Sequence, residues 1–358
     1  MLLDVVSGLS PLLAAPAAPG ASASAGGLLQ GFRAPLLTGF IAMAVAWILT
    51  PWVRTLAFKY GAVDDPNRDD RRIHKEPLAR WGGIAIYVGI VISLAVVLPF
   101  AYPGGKPFPL YLIGMVVVGG ALVAFGAWDD LKQLSAKTQL VALLGGGLLV
   151  QLLGEENARV QIATLVIPLT DPKNYLPLGW AALPLTAIYI FVVTKTMDTI
   201  DGVDGLASGI ATISAATLTI IAAYGEQPRV AIVAASIAGA SLGFLRHNYN
   251  PAKIIMGTGG AYILGFMLAC LSIVGALKTA AAASLLVPIL VFGVPIFDAF
   301  WVIVRRIRSG VPITTADKRH LHHTLLGRGL TQRQTVWVLY TFAAILCAAL
   351  LIIIKANV

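Results

Sequence analysis

Residues 108–130 read FPLYLIGMVVVGGALVAFGAWDD, and this stretch decides the fold class. Residues 108–127 carry no charge, and the run stops at Trp128, Asp129 and Asp130. A bilayer core takes about 20 apolar residues of helix, so the run is long enough to cross and the acids mark its exit. Comparable runs lie at 33–54, 82–101, 138–154, 178–195, 206–224, 229–245, 260–277, 284–304 and 334–354. Composition agrees: of 358 residues, 58% are hydrophobic and 12% charged, where soluble domains carry about 25% charged residues. That excludes an ordinary soluble enzyme, a disordered chain and a coiled coil. The reading is an all-α polytopic membrane protein of about ten transmembrane helices. Residues 31–358 form one integral-membrane domain after a flexible tail at 1–30. The tail is apolar from Met1 to Leu13 but carries Asp4 in place of a positive n-region, which argues against a cleaved signal. Residues 158–168 alternate like a short hairpin. Cys270 and Cys347 sit in apolar runs and give neither a disulfide framework nor a zinc spacing.

Ten spans put the loops 54–81, 128–137, 195–205, 246–259 and 305–333 on one side. These hold seven, two, one, two and seven Lys and Arg, 19 of the chain's 26. Positive charge stays cytoplasmic, so this side is the cytoplasm and both termini face outward. The net charge of +9 follows this loop bias and calls for no nucleic-acid partner. The same loops hold 11 of the 17 acids and all five His. Such one-sidedness favours an enzyme at the cytoplasmic leaflet over a transporter, which keeps polar groups near the midplane and shows repeat symmetry.

Five segments carry the chemistry. Asp129 and Asp130 are adjacent acids at a membrane boundary, suited to holding Mg²⁺ or to taking a proton, or else a solvated helix end. Asp198, Asp201 and Asp204 alternate with Gly202 and Gly205 in a tight acidic loop whose repulsion a bound cation would relieve. Asn248, Asn250, Pro251 and Lys253 precede Met256-Gly-Thr258-Gly-Gly260, glycines that can open a helix with its amides facing a phosphate. His320, His322 and His323, next to Asp317, Lys318 and Arg319, suit an anion such as a diphosphate, with zinc as the rival. Residues 64–83 are a dense mixed-charge loop with Arg68, His74 and Arg80. Asp298 lies inside the ninth apolar run, and an acid there is a functional candidate.

Taken in this order, the segments resemble the polyprenyl-phosphate N-acetylhexosamine-1-phosphate transferases over about residues 50–335. The Asp-x-Pro…Arg…His…Pro…Arg-x-Gly-Gly pattern at 64–83 and the His-x-His-His at 320–323 are similar to the bacterial GlcNAc-1-phosphate branch. The sister branch, phospho-MurNAc-pentapeptide translocase, has a different early loop and a His-His-His motif. The resemblance implies attack of a polyprenyl (undecaprenyl) phosphate on the β-phosphate of a UDP-sugar such as UDP-GlcNAc. UMP leaves, with Mg²⁺ or Mn²⁺ as cofactor. It implies the first membrane step of a cell-envelope polysaccharide, in the bacterial inner membrane, with a homodimer plausible. Asp129 then matches the acid that deprotonates the lipid phosphate, with Asp130 beside it, and His320, His322 and His323 match a cluster around the diphosphate. Asp198, Asp201, Asp204 and Thr258 match the metal and nucleotide positions. Arg68, His74, Arg80, Lys137, Asn248, Lys253 and Arg319 are the candidates for substrate binding.

The chain departs from the family pattern where Thr258 replaces an Asp, and where Lys195 and Asp198 replace two Asn. The expectation is that Asp198 supplies the metal charge Thr258 cannot, which requires the two loops to meet. Ala79 stands where Pro is common. The competing readings are an inactive or altered-specificity homologue, a transporter or lipid-binding scaffold, and a metal-dependent lipid-diphosphate phosphatase.

Overall fold

A computed structural model describes residues 25–64, 76–102, 108–154, 159–166, 175–276, 292–308 and 320–357. In hydrocarbon, a chain satisfies its backbone polar groups by forming helix, and the apolar runs do so: α1 Ala25–Tyr60, α2 Gly82–Ala101, α3 Leu110–Lys132, α4 Ala136–Leu152, α5 Ala182–Ile200, α6 Leu206–Tyr224, α7 Pro228–Asn248, α8 Gly257–Ala276, α9 Gly293–Arg308, α10 Leu321–Gly327 and α11 Gln332–Asn357. Among the described residues, eight helices are long and apolar enough to cross a membrane. The expected span at 138–154 is the shorter α4, and the part of the expected span 284–304 before residue 292 lies outside the described residues. Helix α1 starts at Ala25, inside the stretch read as tail. Its 36 residues make about 54 Å at 1.5 Å each, so it outruns the hydrocarbon and carries Arg54 and Lys59 beyond it. The stretch 158–168, expected to form a hairpin by itself, supplies only β3 (Thr164–Val166), which pairs antiparallel with β4 (Tyr175–Pro177) beyond it, Leu165 opposite Leu176.

Helix α8 is the axis of the bundle: its apolar window Gly257–Gly275 is wholly buried, whereas α1 and α11 face outward over most of theirs. Glycine places it there. A Cβ on Gly83 would run into the backbone of Gly259 and Gly260, and one on Gly126 into the backbone of Gly259 and Thr258. At Gly265 a Cβ would lie 2.6 Å from Thr194 Cα. Helices α2, α3 and α5 therefore meet α8 backbone to backbone, as small residues permit in membranes. The crossings with α2 and α3 lie at one end, and that end carries the acids.

Candidate active site

Helix α3 continues to Lys132, so Asp129 and Asp130 occupy its last turns, 6% and 5% exposed. Facing them is the start of α8. The Thr258 backbone N–H donates to Asp130 Oδ1 at 3.1 Å, and the Thr258 hydroxyl donates to Asp129 Oδ2 at 3.0 Å. The glycine-rich helix opening, read as a seat for phosphate, thus meets a protein carboxylate. Gly257 makes this possible: it sits at φ +70°, and a Cβ would strike the Arg80 carbonyl and Asp130 Oδ2. The early loop is tied to the same place. Arg80 Nε lies 3.1 Å from Asp130 Oδ1, and its Nη1 lies 3.6 Å from Asp64. From β2 (Leu78–Ala79), which pairs antiparallel with β1 (Val63–Asp64), to the start of α2 the backbone bonds to residues 255–256: Ile255 N–H to Ala79 O at 2.9 Å, Gly83 N–H to Met256 O at 2.8 Å.

Asp129 is saturated. The Leu134 N–H donates to Oδ1 at 2.8 Å, and Gln139 Nε2 reaches Oδ1 and Oδ2 at 3.1 and 3.2 Å. Gln139 Oε1 in turn accepts from Lys195 Nζ at 2.9 Å, and Lys195 pairs with Asp198 Oδ2 at 2.6 Å. Helix α5 runs to Ile200, so Lys195 and Asp198 stand on a helix, one turn apart, and not in the loop expected at 195–205. The two loops do meet, but through Gln139 and with Asp198 answered by an ammonium. Among the described residues Asp201 has no such partner. Removal from bulk water, and then the Asp198 charge, hold its carboxyl well above the usual carboxylate range, with Arg80 pulling the other way. Asp204 is tied inward: its Oδ2 accepts from Asn250 Nδ2 at 2.9 Å and the Ala252 N–H at 3.0 Å.

The His cluster closes the other flank. Asp298 on α9 accepts from the Leu321 N–H and pairs with His320 Nδ1 at 2.9 Å, so the intramembrane acid has its partner at the start of α10. His320 stacks on His322, and His322 contacts His323. A Cβ on Gly202 would come 3.3 Å from His322 Nε2, which sets the imidazole against the acidic loop. Burial, then the adjoining His323, push His322 down to about 3, against the pull of Asp298.

Several expected contacts are placed elsewhere. Asn248 is buried and engaged at both ends of its amide: Oδ1 accepts from the Gly205 N–H and Ser208 Oγ, and Nδ2 donates to Ile254 O. It clips two loops together. Lys253 and Lys137 are exposed. Arg68, His74 and Arg319 lie outside the described residues. Reading the sequence missed Gln139, the first uncharged amide inside the fourth apolar run, and the clamp from α11. There Gln332 Oε1 accepts from Asn250 at 2.7 Å, and Arg333 donates twice to Asn250 O.

Mg²⁺ keeps several waters and binds through one or two carboxylates plus substrate phosphates. The residues fit that demand. Asp130 Oδ2 is buried and accepts no hydrogen bond among the described residues, and Asp201 sits among like charges. Among the described residues no three acids or imidazoles form a closed metal cage, an arrangement Mg²⁺ does not require.

The sequence profile of glycosyl transferase family 4 matches residues 112–276, from α3 through α8. The chain is similar to a probable undecaprenyl-phosphate N-acetylglucosaminyl 1-phosphate transferase of Bacillus subtilis, 32% identical over 89% of this chain and 84% of that one. It is similar to a decaprenyl-phosphate N-acetylglucosaminephosphotransferase of Mycolicibacterium smegmatis, 32% identical over 87% and 80%. It also matches an undecaprenyl-phosphate alpha-N-acetylglucosaminyl 1-phosphate transferase of Escherichia coli K12, 27% identical over 84% and 78%.

Proposed function

The chain belongs to glycosyl transferase family 4, among its polyprenyl-phosphate N-acetylglucosamine-1-phosphate transferases, and from that premise we propose the following reaction. It transfers N-acetylglucosamine 1-phosphate from UDP-GlcNAc to a polyprenyl phosphate. An oxygen of the lipid phosphate bonds to the β-phosphorus, the bond between the β-phosphorus and the bridging oxygen breaks, and UMP leaves. The observation that supports this reading is the convergence of Asp129, Asp130 and Arg80 on one end of α8, with Asp201 in electrostatic reach of Arg80 and Asp130 and His322 against the adjoining Gly202.

Phosphoryl transfer needs positioning and countercharge more than covalent help. A phosphate monoester has a second pKa near 6, so the nucleophile is largely dianionic at neutral pH and needs orientation more than a strong base. Asp129, with every oxygen held by protein donors, serves as a fixed anion that orders its surroundings. Asp130 offers Oδ2, the unengaged oxygen of the pair. His320 and His323 supply donors toward the diphosphate, while His322, held neutral, packs against Gly202. Bound Mg²⁺ would be held by Asp130 and Asp201 and would neutralise the diphosphate. Asp198, Asp204 and Thr258, engaged by Lys195, Asn250 and Asp129, shape the acidic loop around it.

The Lys and Arg bias of the loops supports a cytoplasmic position for this end; a bacterial inner membrane, termini on the outer side and a homodimer complete the proposal. The test is purified protein in detergent with undecaprenyl phosphate, labelled UDP-GlcNAc and Mg²⁺. Labelled lipid and UMP, lost with EDTA and in Asp130→Asn, support the reading. No product from any UDP-N-acetyl sugar overturns it.

A further inference from the structure

We propose that Lys195 is a positioning residue for the Asp129 carboxylate and acts through the side-chain amide of Gln139. The kinetic part of the inference rests on the transfer reaction proposed above, but its geometry does not. Lys195 is the one cation in Ala182–Ile200, and a charge on an apolar helix needs a partner. Its Nζ lies 2.6 Å from Asp198 Oδ2, 2.9 Å from Gln139 Oε1 and 5.9 Å from the Tyr262 ring centre.

An ammonium only donates and an ionised carboxylate only accepts. Gln139 stands between one of each, so its amide has a single satisfied orientation: carbonyl oxygen to Lys195, NH₂ to Asp129. The NH₂ then spans both carboxylate oxygens, at 3.1 and 3.2 Å. Reversing the amide would set oxygen against carboxylate and NH₂ against ammonium. Lys195 therefore fixes the rotational setting of Asp129 from two residues away, and Asp198 holds Lys195 in place one helical turn on. The chain of contacts joins α5, α4 and α3, and it ends on the carboxylate that also accepts from the Thr258 hydroxyl. Asp129 is gripped by three donors, the Leu134 N–H, the Thr258 hydroxyl and the Gln139 amide, and the last is the one that bridges both of its oxygens. Without Lys195 the Gln139 amide can turn over, and one grip is lost.

The test pairs kinetics with an activity-independent probe. Lys195→Met lowers kcat on the order of a hundredfold, the usual scale of a small misplacement in an active site, while KM for UDP-GlcNAc stays within about twofold. Lys195→Arg restores most of kcat. Adding Gln139→Leu to Lys195→Met costs little more, because both break the same link. In protein labelled with ¹⁵N-glutamine, the Gln139 side-chain resonance, assigned by its loss in Gln139→Leu, moves in both Lys195→Met and Asp129→Asn. Should Lys195→Met fail to fold, Gln139→Leu breaks the link from the other end, and its kcat loss at unchanged KM replaces that measurement.

An unchanged kcat in Lys195→Met overturns the proposal. So does a rise in KM alone, which would make Lys195 a substrate contact, and so does a Gln139 resonance indifferent to Lys195→Met. If the wild-type protein transfers nothing while the resonance responds, the proposed function fails and the linkage stands. Activity with an indifferent resonance means the reverse.

Discussion

Asp129 and Asp130 end α3 with almost every acceptor occupied by protein donors, whereas Asp201, at the end of α5, sits crowded by Asp198, Asp130 and Asp204. Both regions bring negative charge to the same end of α8. The first is assembled by the chain itself: Thr258, Gln139, Leu134 and Arg80 answer its oxygens, and glycines at 83, 126, 257 and 259 let the backbones approach. The second is left short of positive charge. The contrast teaches that one half of the site is preorganised by folding, and the other half is completed by what binds. Preorganised groups stabilise transition-state charge without reorganising.

Changes to the preorganised half should have the largest effects. Asp130→Asn removes the one carboxylate that joins Arg80, the α8 amide and an unengaged oxygen. Transfer should fall on the order of a thousandfold with little change in the unfolding midpoint, and a steady-state assay beside a melting curve checks both. Gly257→Ala forces a Cβ into the Arg80 carbonyl and the Asp130 carboxylate at φ +70°. It should cost about 2–3 kcal/mol of stability, read from denaturant or thermal unfolding, and take activity with it. Thr258→Val keeps the shape and deletes the hydroxyl donated to Asp129. A loss of about 1–2 kcal/mol is expected. A neutral or stabilised Thr258→Val variant would break the claim that Asp129 is held by the protein.

The pH dependence separates the two flanks. His322 is held below its ordinary value, so the folded state binds fewer protons than the unfolded one between about 3 and 6.5. Its contribution is fully present above pH 6.5 and is lost as pH falls, by up to about 1.4 kcal/mol per pH unit. His322→Gln should flatten that acid-side slope in unfolding curves. Asp201 has the opposite sign. Its folded value is raised, so it favours the folded state at low pH and costs stability as pH rises through that value.

Much of this was legible before any coordinates. Uncharged runs near 20 residues placed the helices, because lipid leaves a backbone no other solution. The loop charges put the acids and imidazoles at one end. What periodicity could not show was partnership. Asn248 looked available and is spent on Gly205, Ser208 and Ile254. The glycine-rich opening of α8 looked like a phosphate seat and is occupied by Asp130. Gln139 looked like an ordinary helix residue, since its role depends on Lys195, 56 residues away. Asp198 looked like a spare metal ligand until Lys195 was found beside it. Apart from the Lys195–Asp198 pair, one helical turn apart, each of these contacts joins distant segments, which spacing along the chain does not encode.

The most direct test of the contrast is thermal unfolding at pH 8 of detergent-solubilised wild type and Asp201→Asn, in EDTA and in Mg²⁺. The account predicts that Mg²⁺ raises the wild-type midpoint. Asp201→Asn, relieved of a crowded charge, should unfold above wild type in EDTA and gain nothing from Mg²⁺. An Asp201→Asn variant that melts below wild type in EDTA, or that keeps the full Mg²⁺ gain, would contradict it.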